Sequence, residues 1–257
     1  LLSLPAIAED EEWVDTGPNG AFEIRLPGEA LHPEREPLAR LEAQRLQLGS
    51  LHFAAQYQQS PVPAEGNLVK REWLRRYHVA PAKQPGDRIL QSLDTANKDG
   101  VSNDYSVCIT ALQRKDEVYV LDVTRGRWDF PMLKRKVIQL ARKRDVDHVL
   151  IEDAASGQQL IQQLRAEQPV GVPRTQAFKA SADKIVRFCA ETAKIERGEL
   201  LLPTDAPWLA DFEKELLGFP QGRYDDQADA LAQLLAWSRR RRSRNVATYA
   251  QVFQQER

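Results

Sequence analysis

The strongest constraint on the fold of this 257-residue chain is a block of three apolar runs joined by short polar connections. The runs are RILQSLDTA, DYSVCITALQ and EVYVLDVTRG, and the connections contain NKDG and RKD. Runs rich in Val, Ile and Leu between turn-forming residues predict β-strands. Because connections this short can join only antiparallel neighbours, residues 88–126 predict a three-stranded antiparallel meander.

Helix and strand candidates alternate after this meander. A helix is predicted to begin at Asp129, the strand HVLIED follows, and a second helix extends from Gly157 to about Glu167. VPRTQAF and ELLLP predict further strands, Ser181 is expected to cap the helix between them, and Asp225 the last helix. Antiparallel strands followed by this alternation predict an α/β fold, in which a mixed sheet of antiparallel and then parallel strands is flanked by helices.

The amino-terminal third has a different composition. It is acidic and rich in Pro and Gly, and its helical segment LARLEAQRLQLGSLHFAAQYQQ is predicted to break at Gly49. We therefore expect residues 1–86 to form an arm or interdomain segment, residues 87–240 the main domain, and residues 241–257 a basic tail. Because the chain begins with Leu1, we expect it to be part of a longer protein.

Charge and hydropathy narrow the function classes. Residues 1–66 carry 4 Lys or Arg against 11 Asp or Glu, whereas residues 67–257 carry 32 against 26. A modestly basic region around acidic clusters suits a polyanionic substrate, although an ordinary solvated surface has the same balance. No apolar stretch reaches the roughly 18–20 residues that span a bilayer. Cys108 and Cys189 lie in apolar patterns typical of buried thiols in a reducing compartment.

Acidic residues at the ends of predicted elements indicate the chemistry. Asp94 ends the first strand of the meander, Glu152 ends HVLIE, and Asp226 and Asp229 lie on one face of the last helix. Because gathered carboxylates repel one another, such a cluster usually holds divalent cations. We expect two Mg²⁺ or Mn²⁺ ions roughly 3.5–4 Å apart, one activating water and one stabilising the leaving oxygen of a phosphodiester.

Each acidic residue also has a structural interpretation. Asp94 can form a turn with Thr95, Glu152 can pair with a cation, and Asp225 can be a helix cap or a metal ligand. Basic residues have similar alternatives. Lys179, Lys184 and Arg187 are expected near the acidic edge, where they would contact DNA phosphates or simply lie on a solvated helix face. Arg125, Arg127 and the run 134–136 predict a further basic surface.

The order of these motifs resembles the ribonuclease H-like nuclease superfamily, and more closely the carboxy-terminal nuclease domain of tailed-bacteriophage large terminase subunits. The matching motifs are SLDTA, NDYSV, IEDAASG, DKIVRF with GELLLP, and YDDQADALAQLL, within about residues 88–240. LPAIAE, PGEALHPER, FAAQYQQSPVPAEGNLVK and Trp73 resemble the segment that joins the terminase ATPase to the nuclease.

The resemblance implies a ribonuclease H-like fold, two-metal cleavage of double-stranded DNA and a role in phage genome packaging. It assigns Asp94 as the first-strand ligand, Glu152 as the central-strand ligand, and Asp226 and Asp229 as the ligands on the final helix, with Asp225 a rival to Asp226. It implies the host cell cytoplasm as location, no membrane, and three partners: a terminase ATPase domain in cis, the small terminase subunit and the portal. The chain has no GxxxxGK[ST] phosphate loop, so ATP-driven translocation is not expected in it.

Two alternatives remain open at this point. The DDQADALA stretch also resembles the last motif of Holliday-junction resolvases of the same superfamily. The other alternative is a catalytically silent DNA-binding or assembly module, in which the carboxylates only pair with nearby Lys and Arg.

Overall fold

The computed structural model describes residues 4–15, 22–60, 67–95, 105–180 and 182–239. The strands within these residues are β1 (Glu12–Asp15), β2 (Phe22–Arg25), β3 (Arg75–Tyr77), β4 (Arg88–Asp94), β5 (Ser106–Arg114), β6 (Glu117–Gly126), β7 (His148–Glu152), β8 (Gln176–Phe178) and β9 (Leu200–Pro203). The helices are α1 (Leu38–Leu48), α2 (Ser50–Gln56), α3 (Phe130–Arg144), α4 (Ala155–Glu167), α5 (Lys184–Glu196), α6 (Leu209–Gly218) and α7 (226–239), with a short 3-10 helix at Arg71–Trp73. No described helix has the length and apolar character needed to cross a membrane.

Seven of the strands form one mixed sheet in the order β3-β9-β6-β5-β4-β7-β8. The central strands β4, β5 and β6 are antiparallel neighbours, as the short connections predict. Strands β7 and β8 add in parallel beyond β4, and β9 and β3 add in parallel beyond β6. The predicted fold class, an α/β mixed sheet with antiparallel and then parallel strands, is confirmed.

Helices cover both faces of this sheet. Leu90 and Ile109 belong to a core shared with apolar side chains of α5, α6 and α7, whereas Leu93 and Cys108 belong to a core shared with α3 and α4. Successive residues of a strand point to opposite faces, which explains why neighbouring apolar residues join different cores. Burial on both faces is the reason that β5 is a nearly continuous apolar run instead of an alternating one.

Helix starts follow the capping predictions in part. Asp129 caps α3, where its carboxylate accepts a hydrogen bond of 2.8 Å from the backbone N–H of Met132. Helix α5 begins later than expected, at Lys184, and Asp183 caps it by accepting from the N–H of Ile185. The assignment of Ser181 as its cap is wrong, because an N-cap residue directly precedes the first helical turn. Ser181 itself lies outside the described residues.

The amino-terminal segment contributes to the main sheet. Strand β3 pairs with β9, although it precedes residue 87, where the main domain is predicted to begin. The β1–β2 hairpin was not predicted, because acidic and turn-forming residues hide its short alternating pattern. The division at residue 86 stays a prediction, and the predicted basic tail lies outside the described residues.

Helices α1 and α2 separate at Gly49, as predicted, and pack on α5 at the same point. Gly49 has a φ of 79°, and a Cβ there would lie 2.8 Å from Cβ and 2.9 Å from Cα of Ala193. Glycine is therefore required both for the backbone conformation and for the close approach of the two segments.

Replacing Gly49 tests this contact. We expect Gly49→Ala to lower the free energy of unfolding by about 3 kcal/mol, because overpacking against Ala193 adds to the strain of a positive φ. Gly28→Ala is the matched control, since Gly28 has a φ of 89° but its Cβ would meet no atom within 4 Å. The control should lose only about 1–2 kcal/mol in denaturant unfolding. Equal losses in the two variants would contradict the packing.

Candidate active site

Two of the predicted acidic residues end neighbouring parallel strands. Asp94 is the last residue of β4 and Glu152 the last residue of β7. The register pairs Leu93 with Ile151, so the next residue of each strand lies side by side at the same sheet edge. Adjacent strands are about 4.8 Å apart, which brings the two carboxylates within reach of a common ligand.

Helix α7 carries the other two acidic residues and is anchored to β4 by buried hydrogen bonds. The hydroxyl of Ser92 donates to the carbonyl oxygen of Ala230 at 2.8 Å. The side-chain amide of Gln233 donates to the Ser92 hydroxyl at 3.0 Å and to the carbonyl oxygen of Leu93 at 3.3 Å. Because Ser92 precedes Asp94 by two residues, this anchor fixes the acidic end of α7 next to the carboxylates of the sheet edge.

The four carboxylates act on one another electrostatically. Burial raises the pKa of Asp94 well above its usual value, and the negative charges of Glu152, Asp229 and Asp226 raise it further. Burial also raises the pKa of Asp229, although the ammonium group of Lys184 opposes this shift. The predicted residues are thus gathered in one place, where repulsion between them must be offset by positive charge.

Helix α5 supplies that positive charge from two side chains. Lys184 Nζ lies 3.0 Å from Asp229 Oδ2 and 3.1 Å from each carboxylate oxygen of Asp225. Arg187 donates through Nη1 to Glu152 Oε1 at 3.1 Å and through Nη2 to Asp229 Oδ1 at 3.3 Å. Burial lowers the pKa of Lys184, but the carboxylates outweigh burial and hold this pKa above its usual value. Both oxygens of Asp229 are consequently paired.

These ion pairs determine how the cluster relates to metal binding. Among the described residues, no group of three or more His, Cys, Asp or Glu side chains stands in an arrangement that would hold a metal ion as it is. The available donors are nevertheless carboxylate oxygens, which hard divalent cations such as Mg²⁺ and Mn²⁺ prefer. The donor chemistry fits such ions, with Lys184 and Arg187 as the present counter-charge.

A buried glutamate that the sequence interpretation missed fixes the start of α7. Glu215 of α6 accepts hydrogen bonds from the backbone N–H groups of Gln227 at 2.5 Å and Ala228 at 3.2 Å, and from the Gln227 amide at 2.5 Å. Its other contact is Arg125, at 3.4 Å. Burial raises the pKa of Glu215, and the hydrogen bonds from Gln227 oppose this shift. The available sequence signal was a glutamate on an apolar helix face, between Phe212 and Leu216.

The remaining predicted basic residues lie at different places. Lys179 follows β8 and is exposed, at the same sheet edge as Glu152. Arg125 and Arg127 lie at the end of β6, beside Tyr105. Lys134 instead pairs with Glu167 at 2.7 Å on the α3–α4 side of the sheet, away from the carboxylates.

Comparisons with known proteins match this chain to phage terminases. The sequence profile of the terminase RNaseH-like domain family matches residues 91–236. A large terminase from a thermophilic bacteriophage has a similar structure, with a TM-score of 0.56 and 13% identity over 77% of this chain and 52% of that chain. The chain thus spans about half the length of that terminase.

Two structures of the large terminase nuclease from another thermophilic phage, G20c, are also similar. The cobalt-bound structure has a TM-score of 0.50 and 15% identity over 68% of this chain and 98% of that chain. The magnesium-bound structure has a TM-score of 0.50 and 14% identity over the same shares. A comparison with curated protein sequences found no significant match. The family match and these likenesses show that the sheet has a ribonuclease H-like fold.

The raised pKa of Asp94 predicts that Asp94→Asn stabilises the metal-free protein at neutral pH. The unfolded carboxyl group ionises near pH ~3.9, whereas the folded one keeps its proton to higher pH. The free energy of unfolding therefore falls as pH rises from the unfolded pKa through the folded one. In EDTA, we expect a higher Tm for the variant at about pH 8 and no gain at or below about pH 4. A variant that melts below the wild type at neutral pH would contradict the repulsion.

Removing the cap of α7 should destabilise the protein. We expect Glu215→Ala to lower the free energy of unfolding by about 2–4 kcal/mol, because backbone N–H groups and Arg125 lose their buried acceptor. The neighbouring exposed Lys214→Ala is the control and should change stability by less than about 0.5 kcal/mol. Chemical denaturation of the two variants measures the difference, and similar losses would show that Glu215 is not the cap that matters.

Proposed function

Because this chain belongs to the terminase RNaseH-like domain family, we propose that it is the nuclease part of a phage large terminase. In this proposal it is a divalent-metal-dependent endodeoxyribonuclease that cleaves concatemeric phage DNA during genome packaging. The observation that carries the proposal is the convergence of four carboxylates, from β4, β7 and α7, on the environment of Asp94.

Asp94, Glu152, Asp226 and Asp229 are the proposed ligands of two Mg²⁺ or Mn²⁺ ions. Asp226 is preferred to Asp225 as the ligand at the start of α7. Both Asp225 oxygens bind Lys184, whereas the charge of Asp226 is among those that raise the pKa of Asp94. Asp225 then serves as a partner that orients Lys184. The cobalt- and magnesium-bound G20c nuclease structures support the choice of a divalent cation.

When bound, such ions supply activation of water and stabilisation of the leaving oxygen of a phosphodiester. The chain's own basic residues have two further tasks. Lys184 is 48% exposed and offers its ammonium group to a phosphate once a cation has taken its place beside Asp229. Arg187 is only 13% exposed, so it acts mainly by holding Glu152 and Asp229 in position. Lys179 provides an exposed contact to the DNA backbone at the same edge.

The setting of this activity follows from the family. The substrate is double-stranded DNA in the host cell cytoplasm, and the proposed partners are an ATPase domain in cis, the small terminase subunit and the portal. The match to about half of the longer thermophilic-phage terminase agrees with a separate ATPase part.

A second candidate function rests on the ion pairs. Lys184 and Arg187 already neutralise Asp225, Asp229 and Glu152, as they would in a catalytically silent DNA-binding or assembly module. In that case the carboxylates would be structural, and neither Mg²⁺ nor Mn²⁺ would bind to them.

Plasmid cleavage separates these functions. We expect nicking and linearisation in Mg²⁺ or Mn²⁺ but not in EDTA, and a loss of roughly 100-fold or more in Glu152→Gln, because it removes a metal-ligand carboxylate. Asp145→Asn is the matched control. Asp145 is an exposed carboxylate in the left-handed conformation at the end of α3, which Asn also tolerates. This variant should cleave like the wild type.

The opposite outcome is equally defined. Wild-type protein that leaves plasmid intact with both metals and shows no heat on titration with Mn²⁺ would favour the silent module. Strong preference for a four-way junction over linear duplex would instead identify a resolvase.

A further inference from the structure

A cluster of arginine and tyrosine side chains lies beside the carboxylates, and we call it the Arg–Tyr surface. It consists of Tyr105, Arg125, Arg127, Arg223 and Tyr224. The guanidinium carbons of Arg125 and Arg127 lie 4.5 and 4.6 Å from the ring centre of Tyr105, and that of Arg223 lies 5.3 Å from the ring centre of Tyr224. The two rings meet edge to face at 5.5 Å.

Aromatic contacts of this kind hold each guanidinium group in a defined place while leaving its N–H groups available. Arg125 uses its N–H groups within the protein, because Nη1 lies 3.4 Å from Glu215 and Nη2 lies 3.5 Å from Asp211. Arg127 and Arg223 are exposed, and neither has a carboxylate partner among the described residues. These two arginines are therefore the free positive charges of the surface.

A cavity of about 280 Å³ opens beside the surface and is lined by Arg125, Asp211, Lys214, Glu215, Gly222, Arg223 and Tyr224. With Arg127 added, four basic side chains face two acidic ones, so the region is positively charged. A larger cavity of about 680 Å³ on the other side of Arg125 has Asp122, Asp205 and Asp211 in its lining. Its acidic lining makes the larger cavity unsuitable for an anion.

The register of the sheet gives the distance from the surface to the carboxylates. Asp94 pairs with Val107 on β5, and Val107 pairs with Arg125 on β6. Two strand spacings separate Asp94 from Arg125 along the sheet edge, which is about 10 Å. Along one DNA strand this corresponds to about three base-pair steps of 3.4 Å.

We propose that Arg127 and Arg223 of the Arg–Tyr surface bind phosphates of the DNA backbone on the β6 side of the carboxylates. This inference rests on the proposed function and defines where the substrate lies. The edge of the sheet then presents Lys179 beyond β7, the carboxylates at β7 and β4, and the two arginines beyond β5, in that order. A backbone that crosses the strand ends meets positive charge on both sides of the cleaved bond. Tyr105 and Tyr224 act as supports that orient the guanidinium groups toward phosphate.

Salt-dependent DNA binding tests this placement without relying on catalysis. The affinity of the full chain for a fluorescent duplex is measured by anisotropy in EDTA, at several salt concentrations, for Arg127→Gln and Arg223→Gln. The loss of one phosphate contact lowers the slope of log affinity against log salt by about 0.9, and weakens binding roughly five- to tenfold at about 0.1 M salt.

Lys143→Gln is the matched control, because it also removes one exposed positive charge, but at the end of α3 opposite the carboxylate edge. It should keep the wild-type slope. Tyr105→Phe should also keep the slope, whereas Tyr105→Leu, which loses the ring face, should reduce it. Circular dichroism confirms that each variant is folded.

Two results distinguish this inference from the proposed function. If the arginine variants bind with the wild-type slope while wild-type protein cuts plasmid, the Arg–Tyr surface is not a phosphate site and the nuclease proposal stands. If wild-type protein binds duplex with reduced slopes in the arginine variants but never cuts, the surface is supported and the nuclease proposal fails.

Discussion

The concentration of negative charge at one sheet edge is the constraint on which the rest of the structure depends. Four carboxylates influence the ionisation of Asp94, and such an arrangement is unstable unless positive charge compensates it. Lys184 and Arg187 provide this charge from a single helix, one turn apart. The buried Ser92–Gln233 hydrogen bond and the Glu215 cap then hold α7 where repulsion alone would move it away. The site is thus assembled by long-range contacts that all serve to keep like charges together.

Helix α5 connects this charge balance to the amino-terminal segment. Its side facing away from the carboxylates packs against α1 and α2, where the backbone N–H of Ser50 donates to Glu196 at 2.7 Å. His52 Nε2 lies 3.0 Å from the carbonyl oxygen of Cys189, and Gly49 allows the backbone to approach Ala193. The segment before the central sheet therefore braces the helix that supplies the counter-charge. In a longer terminase, movement of this segment would reach the carboxylates through α5.

Local sequence patterns were sufficient for the central sheet and for the acidic residues at its edge. Apolar runs and turn residues defined β4, β5 and β6, and the position of Asp94 and Glu152 at strand ends followed directly from those runs. The patterns did not reveal partners that are distant in sequence. Glu215 caps a helix that begins eleven residues later, and β3 joins the sheet through β9, well over one hundred residues away. Such pairings depend on the packing of whole elements, which periodicity does not encode. The Arg–Tyr surface was predicted only as basic residues at Arg125 and Arg127, because Tyr224 and Arg223 reach it through the fold.

The central claim is that these carboxylates exchange their internal counter-charge for divalent cations. Anomalous diffraction from a crystal soaked in Mn²⁺ tests it most directly, because manganese is located without reference to activity. The account predicts anomalous peaks bounded by Asp94, Glu152, Asp226 and Asp229, with Lys184 and Arg187 moved from the oxygens that they bind here. Saturating Mn²⁺ that leaves no peak at this edge, with both ion-pair sets intact, would contradict it.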